Sequence, residues 1–157
     1  MAEQTKLRDF ERDLRLHIRG EVSFDQVTLG LYATDASIYQ IMPVALVVPR
    51  DQADVCAAVQ IAAQHKVSIL PRGSGTTLDG QAVSRAMVID FTKYMDKILE
   101  LNVAQRWVRV QPGIVLDVLN AALAPHGLHF APDPATSSRA TIGGMMGNNS
   151  SGTRSIV

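Results

Sequence analysis

The apolar pattern is sharpest from residue 44 onward, where short strands alternate with helices. Residues 44–48 form an apolar run followed by a proline, which is typical of a buried strand. Asp51 can cap a helix that continues to about residue 65. Residues 67–70 form a second apolar run, which Pro71 is expected to end. This order predicts a βαβ unit with parallel strands and a right-handed crossover.

The same pattern continues to about residue 127. Residues 86–90 predict another strand, and residues 98–101 and 107–110 predict two strands that pair with each other. A helix follows Pro112-Gly113 and ends near Gly127. The inward faces of the two helices are assigned from apolar spacing to Val55, Val59 and Ala62 in the first, and to Val115, Val118, Leu119, Ala122 and Leu123 in the second. The fold class is α+β, a mixed α/β arrangement around a small mixed sheet.

The first part of the chain is predicted to be a peripheral helix and a lead-in. Residues 3–19 have helical periodicity, and Gly20 is a plausible stop. The apolar stripe of this helix is Leu7, Phe10, Leu14 and Ile18. Residues 21–43 have no clear period. We therefore divide the chain into a lead-in of residues 1–31 and a domain of residues 32–157.

Composition narrows the classes of function. The 157 residues are 46% hydrophobic, and 15 Lys+Arg balance 15 Asp+Glu without a basic stripe, so we expect no nucleic-acid partner. No apolar run is long enough to span a membrane, and no secretory leader precedes the first helix, which indicates a cytoplasmic protein. Cys56 is the only cysteine and is expected to be a small buried residue. His126 and His129 are separated by a predicted helix end at Gly127, so we expect no metal site.

The most informative stretch for function is PRGSGTTLDG, residues 71–80, directly after a predicted strand. Glycines allow positive φ and a close approach of a ligand to the main chain. Successive backbone N–H groups in such a loop form a concave site suited to phosphate oxygens. Hydroxyl groups of Ser74, Thr76 and Thr77 could add donors, and Arg72 could neutralise phosphate or have an ordinary surface role.

Two better-known phosphate motifs do not fit this loop. A P-loop requires a lysine after its last glycine, and none is present here. A dinucleotide fingerprint fits Gly73 and Gly75, but its third glycine position holds Leu78, and Gly80 comes two residues late. From the residues alone, a phosphate site and a tight surface loop without a ligand both remain open.

A second stretch rich in Gly, Ser, Thr and Asn follows Pro132. It is long for a turn, and extended loops are usually either functional or disordered. Ile142 with Met145-Met146 indicates that part of it packs. Asp133, between two prolines, could accept a hydrogen bond from a ligand or from the backbone.

Taken together, these segments resemble the FAD-binding domain of the vanillyl-alcohol-oxidase and p-cresol-methylhydroxylase type. Within that family, the D-lactate, glycolate and D-2-hydroxyglutarate dehydrogenases are the most similar. Residues 71–80 resemble its "PRGxGTSxxG" loop, residues 86–91 its next strand, and VQPG at 110–113 its "vxPGv" motif. PDP at 132–134, IGG at 142–144 and NNSSG at 148–152 resemble its second flavin-contacting stretch. The resemblance covers about residues 32–157.

The resemblance implies a cofactor, FAD, and a set of residues that hold it. Backbone N–H groups of the loop would bind the pyrophosphate, and the second stretch would line the flavin from the other side. Since Thr76 stands where some relatives carry a histidine, binding should be non-covalent. The implied cofactor-binding residues are Pro71, Arg72, Gly73, Ser74, Gly75, Thr76, Thr77, Gly80, Pro132, Asp133, Gly143, Gly144, Asn148, Ser151 and Gly152.

The resemblance also implies an FAD-dependent oxidoreductase. In an intact relative, a 2-hydroxy acid would lose a proton to a base and its C2 hydride to flavin N5. Relatives continue with a second lobe and a substrate-binding cap, so we expect this sequence to supply only the first lobe and no catalytic residue. An apolar surface left by the missing lobe could cause self-association. Two alternatives stay open: an isolated lobe that binds flavin weakly or not at all, and a phosphate-binding protein of another class.

Overall fold

The chain folds into two compact units, Met1–Asp90 and Phe91–Val157. A computed structural model describes residues 2–152. Both units contain helices and strands, so the predicted mixed α/β class is confirmed. The boundary predicted between residues 31 and 32 stays a prediction, and the last residues of that predicted domain, 153–157, lie outside the described residues.

The first unit contains a four-stranded sheet and three helices. In chain order its elements are α1 (Ala2–His17), β1 (Glu21–Ser23), α2 (Gln26–Leu31), β2 (Ala45–Val48), α3 (Gln52–His65), β3 (Ile69–Arg72) and β4 (Met87–Asp90). The segment for which the sequence predicted no period therefore contains β1 and α2. Pro71 lies within β3 and does not end it, contrary to expectation.

The strand order of this sheet is β1-β2-β4-β3. Both β2 and β3 run parallel to β4, while β1 pairs antiparallel with β2. The prediction of parallel strands is confirmed, but β2 and β3 are not neighbours, because β4 lies between them. Val88 of β4 stands opposite Leu46 on one side and Leu70 on the other. Every residue of β2 and β4 is buried, as expected for strands covered on both faces.

The N-terminal helix α1 packs on this unit through Phe10 and Leu14, both almost fully buried. The prediction of this stripe holds for these two residues and for Ile18, which follows the end of the helix. Leu7 was also predicted to lie in this stripe. That prediction is wrong, because its side chain is exposed.

Asp51 caps α3 as predicted, and its side chain accepts hydrogen bonds from the N–H groups of Ala53 and Asp54. The predicted inward face was wrong for Val59, which is exposed, and for Val55, which is only partly buried. The buried residues of α3 are Asp54, Ala58, Ile61 and Ala62. Because α3 carries apolar residues on most of its circumference, its periodicity does not fix which side faces inward.

The second unit contains a β-hairpin and two helices. Its elements are β5 (Ile98–Asn102), β6 (Trp107–Val110), α4 (Leu116–Leu123), a 3₁₀ turn (Ala124–His126) and α5 (Ile142–Gly147). The two strands are antiparallel neighbours, so the predicted pairing is confirmed. Gly127 follows the 3₁₀ turn in the left-handed region, with φ 66°, which confirms the predicted stop.

A separate hydrophobic core holds this unit together. It consists of Ile114, Leu116, Leu119, Leu123, Ala140, Ile142 and Met145. Leu119 and Leu123 confirm part of the predicted face of α4. Val118 and Ala122 were predicted to face inward but are exposed, and Leu116 is buried instead. Across residues 2–152, no helix has both the length and the apolar character needed to cross a membrane.

Candidate cofactor site

The loop predicted to bind phosphate begins at the last residue of β3 and runs to Gly80. Gly75 and Gly80 have φ of 70° and 76°, so the expectation that glycines of this loop take positive φ is confirmed at both positions. An alanine methyl at Gly75 would lie 2.7 Å from Nη2 of Arg72, and one at Gly80 would lie 2.6 Å from the Tyr39 ring. The loop therefore needs glycine there for two reasons, the backbone conformation and the space.

Arg72 lies beneath this loop. Its side chain is buried, at 9% exposure, so the ordinary surface role that the sequence left open is wrong. Nη1 donates to the carbonyl oxygens of Ala82 (2.8 Å) and Tyr32 (3.1 Å), and Nη2 donates to that of Thr34 (2.7 Å). Burial lowers the pKa of the Arg72 guanidinium, and the carboxylates of Asp35 and Asp90 oppose this shift. The group remains charged at neutral pH.

The segment that contacts Arg72, residues 32–39, was missed by the sequence analysis. The N–H of Ala36 donates to the carbonyl oxygen of Gly75 (3.0 Å). Asp35 accepts hydrogen bonds from the N–H groups of Ala82 (3.2 Å) and Ser37 (2.9 Å). The signal that could have found it is the density of short polar and aromatic residues in YATDASIY directly before the first buried strand.

Two ionisable side chains of this segment are perturbed by their surroundings. Burial raises the pKa of Tyr32. The hydrogen bond that its hydroxyl donates to Oδ2 of Asp90 (2.7 Å) raises this pKa further. Tyr32 is therefore neutral at physiological pH. Burial alone would raise the pKa of Asp35, but its hydrogen bonds from Ser37 and Ala82 outweigh this, so the pKa of Asp35 is below its ordinary value. Asp35 is thus a carboxylate that holds backbone N–H groups.

The second predicted stretch is partly helical. Thr141 caps α5, and its hydroxyl accepts a hydrogen bond from the N–H of Gly144 (3.3 Å). Ile142 and Met145 pack in the core as expected, whereas Met146 is exposed. Of the predicted cofactor-binding residues here, Pro132, Asp133, Gly143, Gly144 and Gly152 are partly buried, and Asn148 and Ser151 are exposed.

Two glycines of the second stretch, Gly143 and Gly152, lie against backbone atoms. The N–H of Gly143 donates to the carbonyl oxygen of Pro112 (2.8 Å), and an added methyl at Gly143 would lie 2.9 Å from that oxygen. An added methyl at Gly152 would collide with the carbonyl oxygen of Asp133. The fold therefore brings Gly152 to Asp133 and Gly143 to the VQPG motif, which are separate in the sequence.

The structure also shows the surroundings of the cysteine, of two histidines and of the tryptophan. Cys56 is exposed, so its prediction as a buried residue is wrong. His126 and His129 are both exposed, and in residues 2–152 no three His, Cys, Asp or Glu side chains group as a metal site would need. The indole N–H of Trp107 donates to Oε1 of Gln105 (2.9 Å), and the Arg109 guanidinium lies 5.9 Å from the centre of its ring.

The family model for the FAD binding domain matches residues 43–157, most of the chain. The chain belongs to this family. The prediction of FAD as the cofactor is thereby confirmed at the level of the family. The match covers the loop after β3 and the stretch around α5, two of the segments on which the resemblance was based.

Known proteins agree with this assignment. The chain is 48% identical to a D-2-hydroxyglutarate dehydrogenase of Pseudomonas putida over 137 residues, covering 85% of the chain and 14% of that protein. It is 34% identical to the glycolate oxidase subunit GlcD of Bacillus subtilis, covering 90% of the chain and 31% of that subunit. A structure of p-cresol methylhydroxylase matches with a TM-score of 0.75 at 22% identity, over 93% of the chain and 29% of that protein. The predicted p-cresol-methylhydroxylase type of fold is confirmed, and the chain spans only a small part of the relatives it matches.

Proposed function

We propose that this chain is part of the FAD-binding portion of a flavin-dependent dehydrogenase that oxidises a 2-hydroxy acid. The family match supports the cofactor, and the names of the two relatives, a D-2-hydroxyglutarate dehydrogenase and a glycolate oxidase subunit, support the substrate class. Both names describe compounds with a hydroxyl next to a carboxylate. FAD would supply the acceptor for the hydride that leaves substrate C2.

The role of this chain in that reaction is to hold the pyrophosphate. Backbone N–H groups of Gly73, Ser74, Gly75, Thr76 and Thr77 would donate to the phosphate oxygens, because a glycine-containing turn can aim successive N–H groups at one anion. The observation that carries the proposal is the loop after β3, in which Gly75 holds a left-handed conformation with no room for a methyl group. A left-handed glycine in such a turn would let successive N–H groups converge on one anion.

The second set of cofactor contacts is proposed for the stretch around α5. Gly143 and Gly144 lie in the first turn of α5, and Pro132, Asp133, Asn148, Ser151 and Gly152 lie on either side of it in the sequence. Main-chain atoms and side chains of these residues would line the flavin. Thr76 stands where some relatives carry the histidine that attaches the flavin, so binding is proposed to be non-covalent.

The experiment is a titration of the purified chain with FAD, followed by flavin fluorescence and by the melting temperature. Saturable binding should raise Tm, because a ligand that binds only the folded state stabilises it. Gly75→Ala should weaken binding by roughly tenfold or more, since strain and a collision of about 2 kcal/mol fall on the loop itself. Gly127→Ala is the matched control, because Gly127 is also left-handed but lies in open space outside both stretches.

Two results would count against the proposal. A folded chain that binds no FAD would support the alternative of an isolated lobe without cofactor binding. Binding of ADP or inorganic pyrophosphate as tightly as FAD would favour a phosphate-binding protein of another class, because the flavin would then contribute nothing to affinity.

A further inference from the structure

Arg72 is placed to act on the loop rather than on a ligand. It is the last residue of β3 and is paired with Asp90 of β4, so its side chain is attached at the point where the strand ends and the loop begins. The three carbonyl oxygens it binds belong to two other segments: Tyr32 and Thr34 before β2, and Ala82 after the loop. One side chain therefore ties the end of the loop to the segment beside it.

Further contacts join the loop and Ala82 to the segment before β2. The N–H of Ala36 donates to the carbonyl of Gly75, and Asp35 accepts from the N–H of Ala82. Gly80 lies against the ring of Tyr39. The loop is thus attached to residues 34–39 near its middle, near its end and just after it. The Arg72 guanidinium also lies 5.3 Å from the centre of the Tyr32 ring.

The positive charge of Arg72 interacts with groups of the protein itself. Its fork of donors reaches carbonyl oxygens on different segments, a geometry that the single ammonium of lysine cannot reproduce. Asp35 and Asp90 lie near enough to act on its charge. A guanidinium that donates to three backbone carbonyls and is flanked by two acids presents little positive charge to an anion outside.

We propose that Arg72 is a positioning residue of the FAD-binding loop, whose guanidinium fixes the loop on the carbonyls of Tyr32, Thr34 and Ala82 and does not contact the phosphate. The inference rests on the proposed function of the loop. It replaces the neutralisation of phosphate that the sequence analysis left open for Arg72, and it assigns residues 32–39 to the support of the cofactor site.

The first test compares FAD affinity of the whole chain with that of Arg72→Lys and Arg72→Met. Both variants should bind FAD about tenfold more weakly or worse, since each loses several charge-assisted hydrogen bonds to the loop's neighbours. The slope of affinity against salt concentration should stay that of the unmodified chain, because no charge facing the phosphate is removed. Arg85→Met, which removes an exposed arginine of the same unit, is the control and should change affinity by less than about twofold.

A phosphate-contacting arginine would behave differently in both respects. Arg72→Lys would then keep much of the affinity, because lysine also binds phosphate as a point charge. Arg72→Met would flatten the salt dependence. Either result would overturn the proposal.

Asp35→Ala gives a second test that leaves Arg72 in place. It should change FAD affinity in opposite directions, depending on whether charge or the contacts of the loop decide affinity. Loss of an acid near an anion site would strengthen FAD binding if charge decided affinity. If the loop is held by its contacts, loss of the hydrogen bond to Ala82 should weaken FAD binding several-fold. Stronger binding by this variant would contradict the proposal.

Amide hydrogen exchange without FAD separates this inference from the proposed function. In Arg72→Lys, peptides covering residues 32–39 and 73–82 should exchange at least several-fold faster, while α4 keeps its protection. Unchanged exchange in both peptides would overturn the inference even if the chain binds FAD. Faster exchange in a chain that binds no FAD would support the role of Arg72 in the loop and reject the proposed function.

Discussion

The two glycine-rich stretches, residues 72–80 in the first unit and 141–152 in the second, have similar compositions but need glycine for different reasons. In the first, Gly75 and Gly80 have positive φ and lie against the ends of the Arg72 and Tyr39 side chains. In the second, Gly143 and Gly152 lie against main-chain atoms of distant residues. A conflict with a side chain can be relieved by movement of that side chain, whereas a conflict with the backbone requires a shift of the fold.

The comparison predicts its largest effect at Gly113, which belongs with the backbone-packed glycines of the second unit. A methyl there would lie 2.7 Å from the carbonyl carbon of Phe91 and 2.8 Å from the carbonyl oxygen of Met95. Gly113→Ala should lower the free energy of unfolding by about 3 kcal/mol, measured by denaturant titration.

The control for this variant is Gly147→Ala. Gly147 ends α5 with open space around it, so alanine should leave Tm equal or slightly higher. A similar loss of stability in both variants would mean that close backbone packing is not what requires glycine in this unit.

A smaller effect is expected at Gly80 in the first unit. Gly80→Ala should cost about 2 kcal/mol, from left-handed strain plus the contact with Tyr39, and Gly127→Ala about 1 kcal/mol from strain alone. Removing the ring should relieve the contact, so Gly80→Ala combined with Tyr39→Ala should cost less than the sum of the two single variants. Additive costs in this double-mutant cycle would contradict the distinction between side-chain and backbone conflicts.

The smallest effect concerns pH, and it arises at the first loop, whose contacts include the titratable acid Asp35. The pKa of Asp35 is lower in the folded chain than its ordinary value, so its contribution to stability is present above that ordinary pKa and is lost as pH falls through the folded one. Asp35→Asn should lower Tm at pH 7, and the difference should disappear in acid. A difference that persists below the folded pKa would rule out ionisation of Asp35 as its source.

Sequence patterns predicted the elements of this fold better than their packing. The apolar runs gave β2 and β4, and Asp51 gave the start of α3, because these signals are local. The order of the strands could not be predicted from local patterns, because β4 lies between β2 and β3 and pairs with residues distant in the sequence. The faces of α3 and α4 were misassigned at Val59 and Val118, which are exposed. Ala58, Ile61 and Leu116 face the core instead.

The sequence predicted the loop of the candidate site but missed the segment that contacts it, residues 32–39. The loop was found because its glycines and its position after a strand are visible in the sequence. Residues 32–39 were missed because hydrogen bonds to backbone groups, and not apolar spacing, hold them in place. A buried arginine such as Arg72 cannot be told from an exposed one until the carbonyls around it are known.

The position of Pro71 has a consequence for association between chains. β3 is the last strand of its sheet, so one of its edges is not paired within that sheet. A proline in an edge strand offers no N–H to an approaching strand, and its ring limits how flat the edge can be. The edge of β3 is therefore a poor template for adding a strand from another molecule.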